Sequence, residues 1–212
     1  MIRFSGLDRV FSALDNALKT LTTEPSGTGR PMPGRELPQA DLQAEQIRHA
    51  AGLMRVNHAG EVAAQGLYQG QALATPSAQH VQALLGAAAE EADHLRWTLT
   101  RLRELDGRPS VFSPLWYAGA FCLGLVAGRL PLAQAMGFVS ETERQVEAHL
   151  KGHLSNLPVN DHRSRALVSQ MMADEATHGA DARAMGGADL PAPVQGAMRT
   201  SAKLMVQTAY HL

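Results

Sequence analysis

The fold is decided by the stretch Glu90-Glu91-Ala92-Asp93-His94 and by its later counterpart, Asp174-Glu175-Ala176-Thr177-His178. Each stretch contains Glu-x-x-His, and this pattern occurs nowhere else in the 212 residues. On an α-helix, residues three apart lie about one turn apart on nearly the same face. The Glu and the His of each stretch can therefore reach one ion, which makes both pairs candidate metal ligands.

The apolar residues around these pairs indicate that the acids lie inside the protein. Spacings of four and three alternate around Glu91, which is the pattern of the buried face of a packed helix. The repeat is Leu84, Ala88, Glu91, Leu95, Thr98, Leu102 and Leu105. The second repeat is Val168, Met171, Glu175, His178, Ala182 and Met185. A buried carboxylate is very unfavourable unless it is paired or binds a metal. The two acids therefore predict a common partner.

Two further glutamates occupy core positions of predicted helices. Glu61 follows Ile47 and Met54 at intervals of seven. Glu143 lies in the repeat Leu132, Met136, Val139, Glu143, Val146 and Leu150. From the first ligand set to the second, the separations are 82 residues for the single glutamates and 84 for each Glu-x-x-His member. The order is that of one helical hairpin repeated.

Two helices with one Glu each and two with Glu-x-x-His supply the ligands of carboxylate-bridged di-iron and di-manganese four-helix bundles. The sequence therefore predicts an all-α four-helix bundle of two hairpins, with helices over 41–74, 77–106, 131–156 and 161–185. Four carboxylates and two imidazoles favour iron or manganese over tetrahedral zinc. The predicted metal ligands are Glu61, Glu91, His94, Glu143, Glu175 and His178.

Composition excludes several other classes of protein. The net charge of −1 does not suggest binding to nucleic acid through phosphate contacts. Cys122 is the only cysteine, which excludes an intrachain disulfide and a thiolate metal site and fits a reducing compartment. The chain also lacks the Gly-x-Gly-x-x-Gly fingerprint of a dinucleotide-binding domain.

The segments outside the four helices form the rest of the predicted organisation. Residues 1–21 form an amphipathic N-terminal helix, which either packs on the bundle or lies in the plane of a membrane. A Pro/Gly-rich linker, predicted to be mobile, covers residues 22–40, and the bundle covers 41–212. Within the bundle, an uncharged connecting helix over 113–129 is too short to span a bilayer. We expect this helix to face a membrane or a substrate channel, or else to be a buried crossover.

A C-terminal helix over 191–212 completes the predicted elements. Pro191 and Pro193 open it, and the residues on one of its sides are apolar. These are Val194, Met198, Met205 and Leu212.

The ligand motifs and their flanks resemble those of a known enzyme family. The run Leu53-Met54-Arg55-Val56-Asn57-His58-Ala59-Gly60-Glu61, followed by Glu91-Ala92-Asp93-His94-Leu95 and Glu175-Ala176-Thr177-His178-Gly179, is similar to the demethoxyubiquinone hydroxylases of ubiquinone biosynthesis. The resemblance extends from Asp41 to Leu212, and its most specific part is Asn-His-Ala-Gly-Glu. Members of that family are ferritin-like di-iron monooxygenases, associated with membranes, that hydroxylate a polyprenylated benzoquinol ring with dioxygen.

The resemblance implies a cofactor, partners and a location. It implies two iron ions (Fe2+/Fe3+), held by the six predicted ligands and bridged by Glu91 and Glu175. The implied partners are a polyprenyl benzoquinol substrate, O2 and an electron donor, which is either a nicotinamide or the quinol itself. Peripheral attachment to the cytoplasmic face of the inner (plasma) membrane is implied if the chain is bacterial, and a homo-oligomer stays open.

One catalytic residue is also implied by the resemblance alone. The family has a histidine six residues after the glutamate of the third bundle helix, and His149 occupies that position here. The tyrosine that accompanies it in the family is replaced by Leu150. A role that requires a phenol at that point is therefore not expected of this chain.

Four acids beside the motifs have simpler interpretations than metal binding. We expect Glu90 and Asp93 to be solvated, because they lie on other helix faces than the ligands. Asp174 and Asp181 are either surface residues or hydrogen-bond acceptors for a ligand imidazole.

Other candidates compete with the six ligands. His58 lies three residues before Glu61, but we expect it to support or cap the ligands because the set is already complete. Glu141 and Glu147 are alternatives to Glu143, which is preferred for its core register. Tyr68 is expected to be a plain core residue.

Two functions of other classes stay open. The same site serves a ferritin-type ferroxidase or another di-metal carboxylate oxidase, and a ferritin predicts a large cage with a polar outer surface. A non-enzymatic membrane scaffold instead predicts that the buried acids pair with Arg or Lys, and it leaves the repeated Glu-x-x-His unexplained.

Overall fold

The structure is a computed structural model that describes residues 6–22 and 26–212. Within those residues the chain forms seven α-helices and no β-strand. The helices are α1 (Gly6–Thr22), α2 (Ala44–Ala74), α3 (Ala78–Glu104), α4 (Ser113–Ala127), α5 (Leu132–Asn156), α6 (His162–Ala184) and α7 (Ala192–His211). The predicted all-α class is confirmed.

Helices α2 and α3 form one hairpin and α5 and α6 form the other, which together make the ferritin-like bundle. The four helices begin and end within three residues of their predicted bounds. Helix α2 begins three residues after the predicted start at 41, and its N-cap is Gln43. There the backbone N–H of Gln43 donates to Oε1 of Gln46 at 2.9 Å, which satisfies a donor at the helix start.

Two apolar clusters pack inside the bundle, and every bundle helix contributes to both. The first cluster includes Met54, Leu102, Leu150 and Met171, and the second includes Tyr68, Leu84, Val139 and Ala182. On each bundle helix, the predicted glutamate ligand lies between the residues that belong to the first cluster and those that belong to the second. The acids therefore lie midway along the bundle, with an apolar layer on either side.

The apolar repeats are buried as predicted, with exceptions at their ends. Leu132 is exposed, so the buried face of α5 begins one turn later at Met136. Val194 and Leu212 are also exposed, and Ala209 is the one fully buried residue of α7. The predicted apolar side of α7 is therefore not part of the bundle core.

Helix α4 packs along the outside of α2 through glycines. A Cβ atom on Gly124 would overlap the carbonyl oxygen of Leu67, and one on Gly70 would overlap that of Phe121. The two backbones can approach this closely only because both positions lack side chains. The other side of α4 is exposed, including Leu123 and Val126.

Helix α1 is amphipathic, and only one of its sides contacts the protein. Ala17 and Leu21 pack on a small apolar cluster beneath α4. On the other side Val10, Phe11, Leu14 and Leu18 are exposed. Ile2, the first residue of the predicted stripe, lies outside the described residues. Among the described helices, none is both long enough and apolar enough to cross a bilayer.

Residues 26–43, which we call the strap, lie against the bundle. Met32 and Leu42 are buried in the first apolar cluster. The carbonyl oxygen of Leu37 accepts a 2.7 Å hydrogen bond from Nε of Arg163 on α6. Where the sequence predicts a mobile linker, the described part of that segment is anchored by side chains of α3 and α6.

Candidate metal centre

All six predicted ligand residues are buried at the middle of the bundle. One comes from α2, two from α3, one from α5 and two from α6. Ligand atoms of Glu61, Glu91, His94 and Glu175 all lie within 4.8 Å of one another, as a metal-binding group requires. His178 and Glu143 adjoin this group.

Glu91 lies between the two histidines. Its Oε2 is 2.8 Å from Nδ1 of His94, and its Oε1 is 3.0 Å from Nδ1 of His178. Glu175 faces the same two nitrogens, at 3.5 Å from His94 and 3.9 Å from His178. Glu61 reaches Nδ1 of His94 at 3.9 Å. Both imidazoles therefore turn Nδ1 toward the carboxylates.

Glu143 joins the centre through Glu175, to which it is hydrogen bonded. On its other side it accepts a hydrogen bond from the hydroxyl of Tyr68, which is almost completely buried. Tyr68 was expected to be plain core, but it holds a predicted ligand. The sequence carried a signal for this contact, because Tyr68 follows Glu61 by seven residues and shares its helix face.

The pKa values of the glutamates show how much negative charge is crowded here. Burial, reinforced by the charge of Glu91, raises the pKa of Glu61 and of Glu175 well above the usual value. Burial also raises the pKa of Glu143. Burial opposes ionisation of Glu91 as well, but the charge of His94 and hydrogen bonds from both histidines outweigh it and lower its pKa.

The neighbouring carboxylates raise the pKa values of both histidines, which favours their protonated, charged form. Burial alone would lower the pKa of His178, but its hydrogen bond to Glu91 and the charge of that residue raise the pKa to about 9. The pKa of His94 is raised well above its usual value, because Glu91 and Asp174 outweigh burial. Without metal, the centre therefore holds protons that a metal ion must displace.

The donor set fits a pair of divalent cations. Glu91 Oε1 and His178 Nδ1 are buried and 3.0 Å apart, and neither atom has a partner other than the opposite one. Once the proton between them is lost, the two atoms present facing lone pairs, which suits a metal ion. Among the described residues, the ion pairs of Glu61, Glu91 and Glu175 are with histidines and none is with Arg or Lys. The pairing that the scaffold alternative predicted is therefore not found.

Each histidine also has a carboxylate behind it, supplied by the other Glu-x-x-His helix. Nε2 of His94 donates to Oδ2 of Asp174 at 2.8 Å, and Nε2 of His178 donates to Oε2 of Glu90 at 3.2 Å. These bonds place the ring proton on Nε2 and leave the Nδ1 lone pair for a metal. Of the two roles considered for Asp174, the structure supports the imidazole partner. Asp181 is exposed.

The expectation of solvated flanking acids is wrong for Asp93, which is fully buried. Its carboxylate accepts hydrogen bonds from backbone N–H groups of the strap, Thr28 at 3.1 Å and Gly29 at 3.2 Å. Arg96 adds a 2.7 Å ion pair. The strap residues among these partners lie more than 60 positions earlier in the sequence, so helix periodicity cannot reveal them.

Three other candidates lie apart from the six. Among the described residues, the ring of His149 contacts that of His153, with 4.0 Å between the ring centroids, and no contact joins His149 to the ligands. His58 lines a cavity of about 370 Å³ between α1, α2, α3 and α4, and burial lowers its pKa to about 4. Glu141 forms a 2.7 Å ion pair with Arg144, so Glu143 is the acid of α5 that faces the centre.

Comparisons with known proteins agree with this geometry. The family described as ubiquinone biosynthesis protein COQ7 matches residues 48–209. A 3-demethoxyubiquinol 3-hydroxylase from Bordetella petrii is 55% identical over 205 residues, which cover 96% of this chain and 91% of that protein. Proteins of the same name from Chromobacterium violaceum and Burkholderia multivorans are 52% and 53% identical, over 97% of this chain and 100% and 99% of their own length.

Proposed function

The chain belongs to the COQ7 family of ubiquinone biosynthesis proteins, and from that premise we propose that it is a di-iron monooxygenase that hydroxylates the ring of a polyprenylated demethoxyubiquinol. The observation that carries the proposal is a cluster of buried acids and imidazoles inside the bundle, in which Glu61, Glu91, His94 and Glu175 can share an ion and Glu143 and His178 adjoin them. When bound, two adjacent ferrous ions supply the electrons with which dioxygen is activated for insertion of one oxygen atom into the ring.

We assign the bridging role to Glu91 and Glu175. Each of these carboxylates turns one oxygen toward His94 and the other toward His178, so each would be able to bind two ions. Glu61 on α2 and Glu143 on α5 would each bind one ion. They are the terminal carboxylate ligands in this proposal.

The residues around the ligands hold them in their productive form. Asp174 and Glu90 accept the Nε2 protons, so the Nδ1 atoms stay available. The hydroxyl of Tyr68 fixes Glu143. The apolar layers on either side of the centre exclude water, which keeps the reducing ions and the activated oxygen from side reactions.

The substrate has a long apolar tail, and the protein offers an apolar face to match it. Phe11 and Leu14 of α1 and Leu123 and Val126 of α4 are at least half exposed. These helices contact each other and lie on the α2 side of the bundle. We propose that this face rests on a membrane surface, which makes the chain a peripheral membrane protein, on the cytoplasmic side if it is bacterial.

The same exposed face argues against a ferritin-type cage, whose outer surface is mostly polar. His149 is retained as a proposed catalytic residue on the family resemblance, at a distance from the ligands. The proposal includes an electron donor, which is either a nicotinamide or the quinol, and leaves room for a homo-oligomer.

The proposal is tested by iron content and by complementation. We expect about two irons per chain, and loss of both iron and hydroxylation in Glu91→Ala or Glu175→Ala. Full activity in either variant would contradict the site assignment.

The substrate assignment is tested separately. A strain that lacks the native enzyme and accumulates demethoxyubiquinone is expected to resume ubiquinone synthesis when it expresses this chain. Catalytic oxidation of excess Fe2+ without ring hydroxylation would instead identify a ferroxidase.

A further inference from the structure

The two halves of the centre have equivalent ligands but different surroundings. In the His94 half, the histidine is backed by Asp174, and in the His178 half it is backed by Glu90. Asp174 is nearly buried, whereas Glu90 is 43% exposed. The strap contributes to this difference, because its hydrogen bonds and ion pairs at the centre are with Asp93, His94 and Asp174.

Arg30 of the strap is the residue that contacts the His94 half. Its Nη2 lies 3.0 Å from Oδ2 of Asp174, the same oxygen that accepts from His94 Nε2, and 3.4 Å from that nitrogen. The other oxygen of Asp174 accepts a 3.0 Å hydrogen bond from Gln170. Both oxygens of Asp174 are therefore held, which fixes the direction from which it meets the imidazole.

The backbone of the strap is fastened at this point by several bonds that do not involve the Arg30 side chain. The carbonyl oxygen of Arg30 accepts from Arg96 at 2.7 Å and from Nε1 of Trp97 at 3.2 Å. Gly27 has φ +56°, and a Cβ there would overlap the carboxylate of Asp93. Gly27 and the buried carboxylate of Asp93 therefore help to hold the strap where Arg30 reaches Asp174.

The His178 half has no counterpart of this arrangement. Position 177, which corresponds to Asp93 in the repeat, is Thr177, and its hydroxyl donates to its own helix at Ala173. Among the described residues, the Glu90 side chain has a hydrogen bond to His178 and no other. That histidine is therefore held by a more exposed partner, through one 3.2 Å hydrogen bond.

We propose that Arg30 is a positioning residue that fixes Asp174 and, through it, His94, so that the His94 half is the tighter of two unequal metal positions. The inference rests on the proposed two-metal centre. A preorganised ligand loses less conformational freedom when metal binds, and outer partners of metal ligands commonly contribute a factor of about 10 to 100 to affinity. An ion in the His178 half, whose outer partner Glu90 is more exposed, would then bind last and be lost first.

The test is an anaerobic titration of the full chain with Fe2+ in competition with a ferrous chelator. The wild-type chain is expected to give two stepwise dissociation constants and two ferrous Mössbauer doublets. In Arg30→Met the smaller constant should rise about tenfold, the low end of that range because Arg30 acts through Asp174, while the larger changes less than twofold. Only one doublet should change, and Arg30→Lys, which keeps the charge, should recover part of the loss.

Two matched variants separate positioning from general loosening. Gly124→Ala, which overpacks the contact of α4 with α2 away from the strap, should lower the melting temperature without changing either constant. Glu90→Gln should weaken only the second, looser position. If Arg30→Met does not fold, the same titration of Arg30→Gln tests the positioning role.

The outcomes distinguish this inference from the proposed function. Unchanged constants in the Arg30 variants, or equal weakening of both positions, would overturn the positioning role. A wild-type chain that binds fewer than two irons would instead remove the two-metal centre itself.

Discussion

Metal binding at this centre should be strongly dependent on pH, and His178 sets the minimum size of the effect. Its pKa of about 9 means that it carries a proton at neutral pH, whereas a metal ligand must be neutral. Because one pKa unit corresponds to 1.36 kcal/mol, removing that proton at pH 7 costs about 2.7 kcal/mol. The apparent affinity at pH 7 is therefore about 100-fold below its value above pH 9.

The sign follows from which state binds the proton. The metal-free protein holds it and the metal-bound protein does not, so affinity falls as the pH falls below 9 and levels off above that value. Between pH 7 and pH 8 the affinity should rise about tenfold from His178 alone. The raised pKa values of Glu61, Glu143 and Glu175 act in the same direction, because any proton they hold must also leave when metal binds.

The assay is an anaerobic Fe2+ competition titration at several pH values, corrected for protonation of the chelator. Calorimetry in buffers of different ionisation enthalpy gives the number of protons released. As a control, NMR titration of the metal-free Glu91→Gln variant should show the pKa of His178 falling by more than one unit, because Glu91 is its main source of stabilisation. An affinity that does not change between pH 7 and pH 8 would refute this account of the charges.

Three further predictions concern packing, ligand support and acid stability. Gly124→Ala should lower the melting temperature by about 2–12 °C in a thermal melt, because overpacking against a backbone oxygen costs about 1–3 kcal/mol. Gly119→Ala, on the open side of α4, should instead raise it slightly. Tyr68→Phe should weaken iron binding about tenfold in the same chelator titration, because Glu143 loses its hydrogen-bond donor, and unchanged affinity would exclude that role. Burial lowers the pKa of His153 to about 3, so as the pH falls the unfolded chain binds a proton at His153 before the folded chain does. The free energy of unfolding should therefore fall between pH 7 and pH 5. In His153→Phe, chemical denaturation should show a decrease that is smaller by about 2 kcal/mol.

Periodicity in the sequence was sufficient to predict the bundle and to bring the six candidate ligands together. A helix side chain's face is determined by its position in a 3.6-residue repeat, so Glu91 among leucines was bound to point inward. Buried carboxylates then required a partner, and four of them with two histidines left few alternatives to metal. The predictions of burial failed mostly at helix ends. Leu132, for example, continues the apolar pattern of α5 but is exposed.

The contacts that complete the site could not be predicted in this way. Asp93 looked like a surface residue because its helix face carries no apolar repeat, and it is buried by a strap 64 residues earlier in the chain. Tyr68 has the helix position of a core residue, and nothing in its own helix indicates a partner for its hydroxyl. Only the docking of α5 against α2 brings Glu143 to that hydroxyl.

The sequence by itself determined the helices, their buried faces and the acids that lie on them, because these follow from local geometry within each helix. The tertiary structure alone decided which hydrogen bonds stand behind those acids. Arg30 meets Asp174 across 144 residues of chain, and no repeat within a helix records such a pair. The inequality of the two halves of the centre therefore depends on where a proline- and glycine-rich segment, which looks like a linker, comes to lie.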